Sequence, residues 1–150
     1  MPKILIVFAS MTGNTEEMAD LIAEGITSAG GVAELKQSMD VDADILLEYD
    51  AVMLGAYTWG DGELPDEFLD FYEDMDNLDL NGKKAAVFGS GDTAYDQYAA
   101  AVDLLTDKLR ERGAEIVQES LKIELNPSTE DKETCRSFGK QFASTAVSLV

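Results

Sequence analysis

Three stretches of the chain are apolar at consecutive positions without polar alternation: Ile4-Leu5-Ile6-Val7-Phe8, Ala51-Val52-Met53-Leu54-Gly55 and, after Lys84, Ala85-Ala86-Val87-Phe88. A strand with one wet face alternates apolar and polar residues. A continuous run has to be buried on both faces, as in a parallel sheet covered by helices. Helical patterns separate these runs. Met18, Leu21, Ile22, Gly25, Ile26 and Ala29 form a single helical stripe, closed by Gly30-Gly31. A short, weaker strand is expected from Val32 to Leu35. Pro65 suits the first turn of a second helix, with Phe68, Phe71, Tyr72 and Met75 on its inner side. A third helix is predicted from Ala99 to Arg112, ended by Gly113. Glu115-Ile116-Val117 and Leu121 to Leu125 read as a last strand kinked between its halves. Asn126-Pro127-Ser128 opens a final helix capped by Ser128 or Thr129, with Phe138, Phe142, Ala146 and Leu149 facing inward. Strands alternating with helices over 150 residues predict one α/β domain with a doubly wound parallel sheet.

Charge narrows the function. The formal net charge is -19, with 30 acids against 11 bases. Residues 1–82 hold 19 acids and two bases, Lys3 and Lys36; between residues 37 and 82 there are 14 acids and no Lys or Arg. Such a field repels nucleic-acid phosphates and anionic lipid, and it draws basic proteins. The chain has no histidine and one cysteine, so His-based nucleophilic catalysis, a disulfide framework and a Cys-based zinc site are excluded. Cys135, three residues before Phe138 on the last helix, reads as core. The apolar run after Met1-Pro2-Lys3 is too short for a signal-peptide core or a membrane span, so a soluble cytoplasmic protein is expected.

In doubly wound sheets, ligands bind beyond the carboxyl ends of the strands. The loops after Phe8, Gly55 and Phe88 are therefore the candidates. The first, Ser10-Met11-Thr12-Gly13-Asn14-Thr15, places hydroxyls, an amide and backbone N–H groups at a helix start, an anion site that uses no cation. Neither GxxxxGK[ST] nor GxGxxG occurs there. The second, Ala56 to Pro65, sets the only tryptophan, Trp59, beside Gly60 and Gly62, where an indole can cover a planar ligand. The third, Gly89 to Tyr98, presents Gly-Ser-Gly backbone donors and a second aromatic plate, Tyr95. An ordinary capped turn, a packed tryptophan and a plain loop are the alternatives at the three places.

The T-G-N-T, T-W-G-D and G-S-G-D-x-x-Y of these loops, together with Gly113-Ala114-Glu115-Ile116-Val117, match in order and spacing a known family. From Lys3 to the final helix the chain resembles the short-chain bacterial flavodoxins, small FMN-binding electron carriers. The resemblance implies a five-stranded sheet in the order 2-1-3-4-5 with helices on both faces. It also implies a non-covalent FMN used in the low-potential semiquinone/hydroquinone couple. By resemblance, Ser10, Thr12, Asn14 and Thr15, with the N–H groups of Met11 and Gly13, hold the phosphate, and Thr58 adds a contact nearby. Trp59 and Tyr95 sandwich the ring. Ser90, Gly91 and Asp92 meet its pyrimidine edge, and Gly60, followed by Asp61, turns a carbonyl toward N5. In two places the chain departs from the pattern: Met11 lacks a hydroxyl often found there, and Gln97 stands where some relatives carry an aromatic.

The implied chemistry is consistent with the charge. A charge about 10 Å from an anionic reduced flavin costs roughly 1.7 kcal/mol at an effective dielectric near 20. About 1.4 kcal/mol corresponds to about 59 mV for one electron. Several acids, Asp61, Glu63, Asp66, Glu67 and Asp92 being the nearest candidates, would therefore lower the second couple by some hundreds of millivolts. The same acids would dock basic reductases and acceptors on a monomeric carrier. A quinone or flavin reductase on this fold would want a substrate pocket, and no insertion is present to build one. A phosphate-receiver domain would want an aspartate where Gly55-Ala56 stands.

Overall fold

In the computed structural model, which describes residues 3–9, 14–49, 51–57, 66–91, 100–124 and 129–147, the continuous apolar runs become neighbouring strands. β1 (Lys3–Phe8) is paired in parallel with β2 (Val32–Gln37) on one side and β3 (Ala51–Tyr57) on the other. β3 pairs with β4 (Lys84–Gly91). The last track is the kinked strand the sequence predicts, resolved into two segments. β5 (Glu115–Ile116) pairs with the start of β4 and β6 (Leu121–Glu124) with its end. The strand order is 2-1-3-4-5, as expected, with β6 continuing beside β4.

Because successive side chains point to opposite faces, β1 divides its residues between two cores. Leu5 and Val7 join Val52, Leu54 and Val87 under α2 (Asp66–Asp74) and α3 (Ala100–Glu111). Ile4, Ile6 and Phe8 join Met53, Ala86 and Phe88 under α1 (Asn14–Ser28) and α4 (Thr129–Val147). The predicted stripes are the buried ones: Met18, Ile22 and Ile26 of α1 and Phe68 and Phe71 of α2 are all buried, and Tyr72 packs partly buried. On α4, Phe138 and Phe142 are buried, whereas the side chain of Ala146, the residue Leu149 and the proposed cap Ser128 lie outside the described residues. Thr129 is the first helical residue and not the cap.

α1 and α3 end in the same way. Gly30 has φ +90° and Gly113 has φ +97°, the left-handed conformation that stops a helix. The N–H of Gly31 then donates to the carbonyl of Ile26, and that of Ala114 to Leu109. The segment after β2, left without an element in the sequence, forms two 3-10 turns, Ser38–Asp40 and Ala43–Glu48. Tyr49, to which no role was assigned, donates its hydroxyl to the Glu34 carboxylate and so ties this segment back to the sheet.

Helices α1 and α4 approach so closely that two glycines are required. A Cβ on Gly25 would lie 1.9 Å from the Arg136 carbonyl oxygen, and one on Gly139 would lie 2.0 Å from that of Ile22. At the sheet, the Phe88 ring occupies the space over Gly55, where a Cβ would stand 2.2 Å from it.

Two predictions arise from these helices. Cys135 is fully buried on the inner side of α4, and its thiol is pushed up to about 12, first by burial and then by the charges of Asp131 and Glu17. Native protein at pH 8 is expected to react with a thiol reagent at least about a hundredfold more slowly than unfolded protein; equal rates would contradict this packing. On α1, the Asp20 carboxyl is held above its ordinary range, first by partial burial and then by Glu16, Glu24 and Glu17. A raised folded pKa favours folding at low pH and opposes it once pH exceeds that pKa. Asp20→Asn is therefore expected to stabilise at pH 7 by about 0.5 kcal/mol. That gain should vanish on acidification below the ordinary carboxylate range, as followed by urea unfolding at several pH values.

Candidate functional site

The register brings three strand ends to one edge. Phe8 is level with Gln37 and Gly55, and the N–H of Ala9 donates to the Gly55 carbonyl at 3.0 Å. Ala56 and Tyr57 of β3 pair with Gly89 and Ser90 of β4. β1, β3 and β4 therefore end side by side at the carboxyl edge. The reversal of strand order lies between β2-β1 and β3-β4-β5, so this edge is the switch point of the sheet. The chain leaves it after Ala9, Tyr57 and Gly91 and returns into α1, α2 and α3.

Asn14 and Thr15 open α1, and Ser90 and Gly91 close β4. The remaining site residues of the sequence reading, Ser10, Met11, Thr12, Gly13, Thr58, Trp59, Gly60, Asp61, Asp92 and Tyr95, lie outside the described residues. Asp66 and Glu67 begin α2.

The described rim suits a phosphorylated planar group. Thr15 is 1% exposed, so a hydroxyl is buried in the first turn of α1, where the positive end of the helix dipole favours an anion. No Lys or Arg lies in that turn, where Glu16 and Glu17 are the charged residues. An anion held there is bound by dipoles and hydroxyls. Gly89 lets β4 run out beneath α3, because a Cβ there would lie 2.4 Å from both the Ala56 carbonyl oxygen and Cγ2 of Val102.

Electrostatically, the two halves of the chain differ as the sequence implies. Lys84 pairs with Glu115 and Lys122 with Asp103 within the second half, and Arg136 pairs with Glu133 and also with Glu24 of α1. Lys108 reaches across to Asp76 and lies over the Tyr72 ring, and its charge holds the Asp76 carboxyl below its ordinary range. In the first half, Lys3 pairs with Glu34, whose carboxyl is lowered first by the Tyr49 hydroxyl and then by Lys3. Among the described residues no Lys or Arg pairs with Asp40, Asp42, Asp44, Glu48, Asp70, Glu73 or Asp74. The negative field of this half is therefore left almost uncompensated. The sequence did not reveal which of its acids remain unpaired, because pairing depends on contacts between distant elements.

A switch-point edge at the carboxyl ends of β1, β3 and β4, with a helix start beside it, is the place where doubly wound α/β proteins bind their ligands. The flavodoxin family model matches residues 6–139. The Bacillus subtilis (strain 168) protein "Probable flavodoxin 2" is 54% identical over 144 residues, covering 95% of each chain. The flavodoxin of Maridesulfovibrio salexigens is 42% identical over 134 residues, covering 87% of this chain and 92% of its own. The crystal structure of oxidised Flavodoxin 1 from Bacillus cereus is similar with a TM-score of 0.92 at 57% identity, covering 95% of this chain and 97% of that one. The chain belongs to the flavodoxin family. It is an FMN-binding electron carrier, of a family of carriers and not of enzymes.

Proposed function

We propose that residues 1–150 form a single domain acting as a cytoplasmic, monomeric, low-potential one-electron carrier between basic-surfaced redox proteins, without a substrate of its own. The observation that carries this reading is the convergence of β1, β3 and β4 on one edge of a chain whose first 82 residues hold 19 acids against two bases. Among the described residues no helix is long and apolar enough to cross a membrane.

When bound, FMN supplies two one-electron steps, and the protein's task is to separate their potentials. Ser10, Thr12, Asn14 and Thr15, with the N–H groups of Met11 and Gly13, hold the phosphate, and Thr58 supports it. Trp59 and Tyr95 cover the ring and exclude water. Ser90, Gly91 and Asp92 bond its pyrimidine edge. The Gly60 carbonyl would accept a hydrogen bond from the N–H group at flavin N5. Asp61, Glu63, Asp66, Glu67 and Asp92 would oppose the negative charge that the second electron brings to the ring, so that electron is held at low potential and is readily given up.

The test is an anaerobic reductive titration of the purified yellow protein followed by visible absorbance. Two well-separated one-electron phases are expected, without direct oxidation of NADH or NADPH. A single two-electron phase accompanied by direct NAD(P)H oxidation would instead establish a reductase.

A further inference from the structure

β2 ends at Gln37, level with Phe8 at the carboxyl edge, and the chain then turns through Ser38–Asp40 against α2. Between that turn and α2 lies an open hollow of about 450 Å³. Met39, Val41 and Phe71 supply its apolar surface, and Asp42, Asp70 and Asp74 its acidic rim. Phe71 is buried at 3% exposure and forms the floor, whereas Met39 is 64% exposed, the most exposed large hydrophobic among the described residues. Asp70 and Asp74 stand one turn apart on the same side of α2. All three aspartates are exposed, none of the lining residues is cationic, and no Lys or Arg pairs with these carboxylates among the described residues.

An exposed, flexible methionine over a buried aromatic floor is an adaptable apolar contact. Three unpaired carboxylates around it select the charge of what may sit there. We propose that this hollow receives a large apolar side chain from a cationic segment of a partner protein, with Lys or Arg residues on either side of that anchor meeting Asp42, Asp70 and Asp74. A second copy of this chain carries the same net charge of -19 and is repelled, as are anionic small molecules. The hollow adjoins the carboxyl edge of the sheet, so one partner can cover both. The inference rests on the reading that partners are basic, and it locates a second grip outside the cofactor loops. Its apolar anchor adds what net charge alone cannot, a discrimination among basic proteins.

The experiment uses FMN-loaded, 15N-labelled protein and two acetylated, amidated decapeptides of equal positive charge. In one, two leucines sit among lysines and arginines; in the other, serines replace the leucines. The leucine peptide is expected to shift the amides of Met39, Val41 and Phe71 and to bind at least about tenfold more tightly than its serine twin. Asp70→Asn combined with Asp74→Asn should weaken it about three- to tenfold. Met39→Ser should remove most of the preference for leucine. Circular dichroism controls for folding; all three substituted positions are exposed. Equal affinity of the two peptides, shifts confined to other surfaces, absence of binding, or the same shifts produced by magnesium chloride alone would each overturn the proposal. The measurement involves no electron transfer. A failed redox titration therefore leaves it standing, and a failed peptide experiment leaves the carrier reading intact.

Discussion

Replacing Gly139 by alanine is expected to destabilise the protein by about 2–3 kcal/mol and to lower its melting temperature by about 5–10 °C. Two terms oppose each other. Alanine is a better helix former than glycine by about 0.5–1 kcal/mol, which favours the substitution. Against this, the new Cβ would lie 2.0 Å from the Ile22 carbonyl oxygen. That neighbour is helix backbone and has no rotamer by which to escape, so α1 and α4 must separate by more than an ångström and loosen the core packed beneath them. Overpacking of this kind costs about 1–3 kcal/mol and occasionally more. Gly25→Ala faces the mirror-image contact with the Arg136 carbonyl oxygen at 1.9 Å and should behave alike. The double variant should cost less than the sum of the two singles, because both methyl groups open the same gap and the second finds it already widened. Thermal and urea unfolding of the four proteins test this. A stabilising Gly139→Ala, as on a solvent-exposed helix, would show that the helices do not meet this closely.

Electron transfer to a basic acceptor should slow by about a hundredfold when ionic strength rises from about 0.01 to about 0.5 M. The cause is the uneven charge: 19 acids against two bases in residues 1–82, whereas Lys84, Lys122 and Arg136 of the second half are paired to acids of that half. At low salt the Debye length exceeds the separation of neighbouring carboxylates, so they act as one field that steers a cation toward the carboxyl edge. At high salt the length falls to a few ångströms and only direct contacts remain. Stopped-flow oxidation of the reduced protein by a basic cytochrome c gives the slope. An uncharged quinone acceptor serves as control and should change little. A flat response with the cytochrome would remove steering from the account of partner choice.

The parts of the structure legible in the sequence were those with a local period. Ile4 to Phe8 could only be a strand buried on both faces, and it is. The Gln118 to Ser120 interruption announced the broken last track. Strand lengths were less visible. β3 continues to Tyr57 and β4 to Gly91, past the ends of their apolar runs, because the two backbones stay paired through Gly89 and Ser90. β2 continues through Lys36 and Gln37 because a strand at the sheet margin can carry polar side chains and still bond β1. The 3-10 turns at Ser38–Asp40 and Ala43–Glu48 left no trace, since a single tight turn is too short to show a period. Gly25 looked like one more small member of a helical stripe. Its contact with Arg136 joins residues more than a hundred positions apart, and no local pattern encodes that. At the site, the position of each loop was readable from the strand it follows. Which rim carboxylates remain unpaired was not, because that depends on where the few bases of the second half find partners.

The partnership of α1 with α4 also has a consequence for biosynthesis. Helix α1 is covered by α4, and their shared core includes Ile22, Cys135 and Phe142. While the polypeptide is still emerging from the ribosome, β1, β3 and β4 can be complete on the α2–α3 side while the opposite side is covered by α1 alone. That side closes only when the residues through Val147 are free to fold back onto the first helix. Until then, the nascent chain holds a partly exposed apolar face, the interval in which chaperones would protect it.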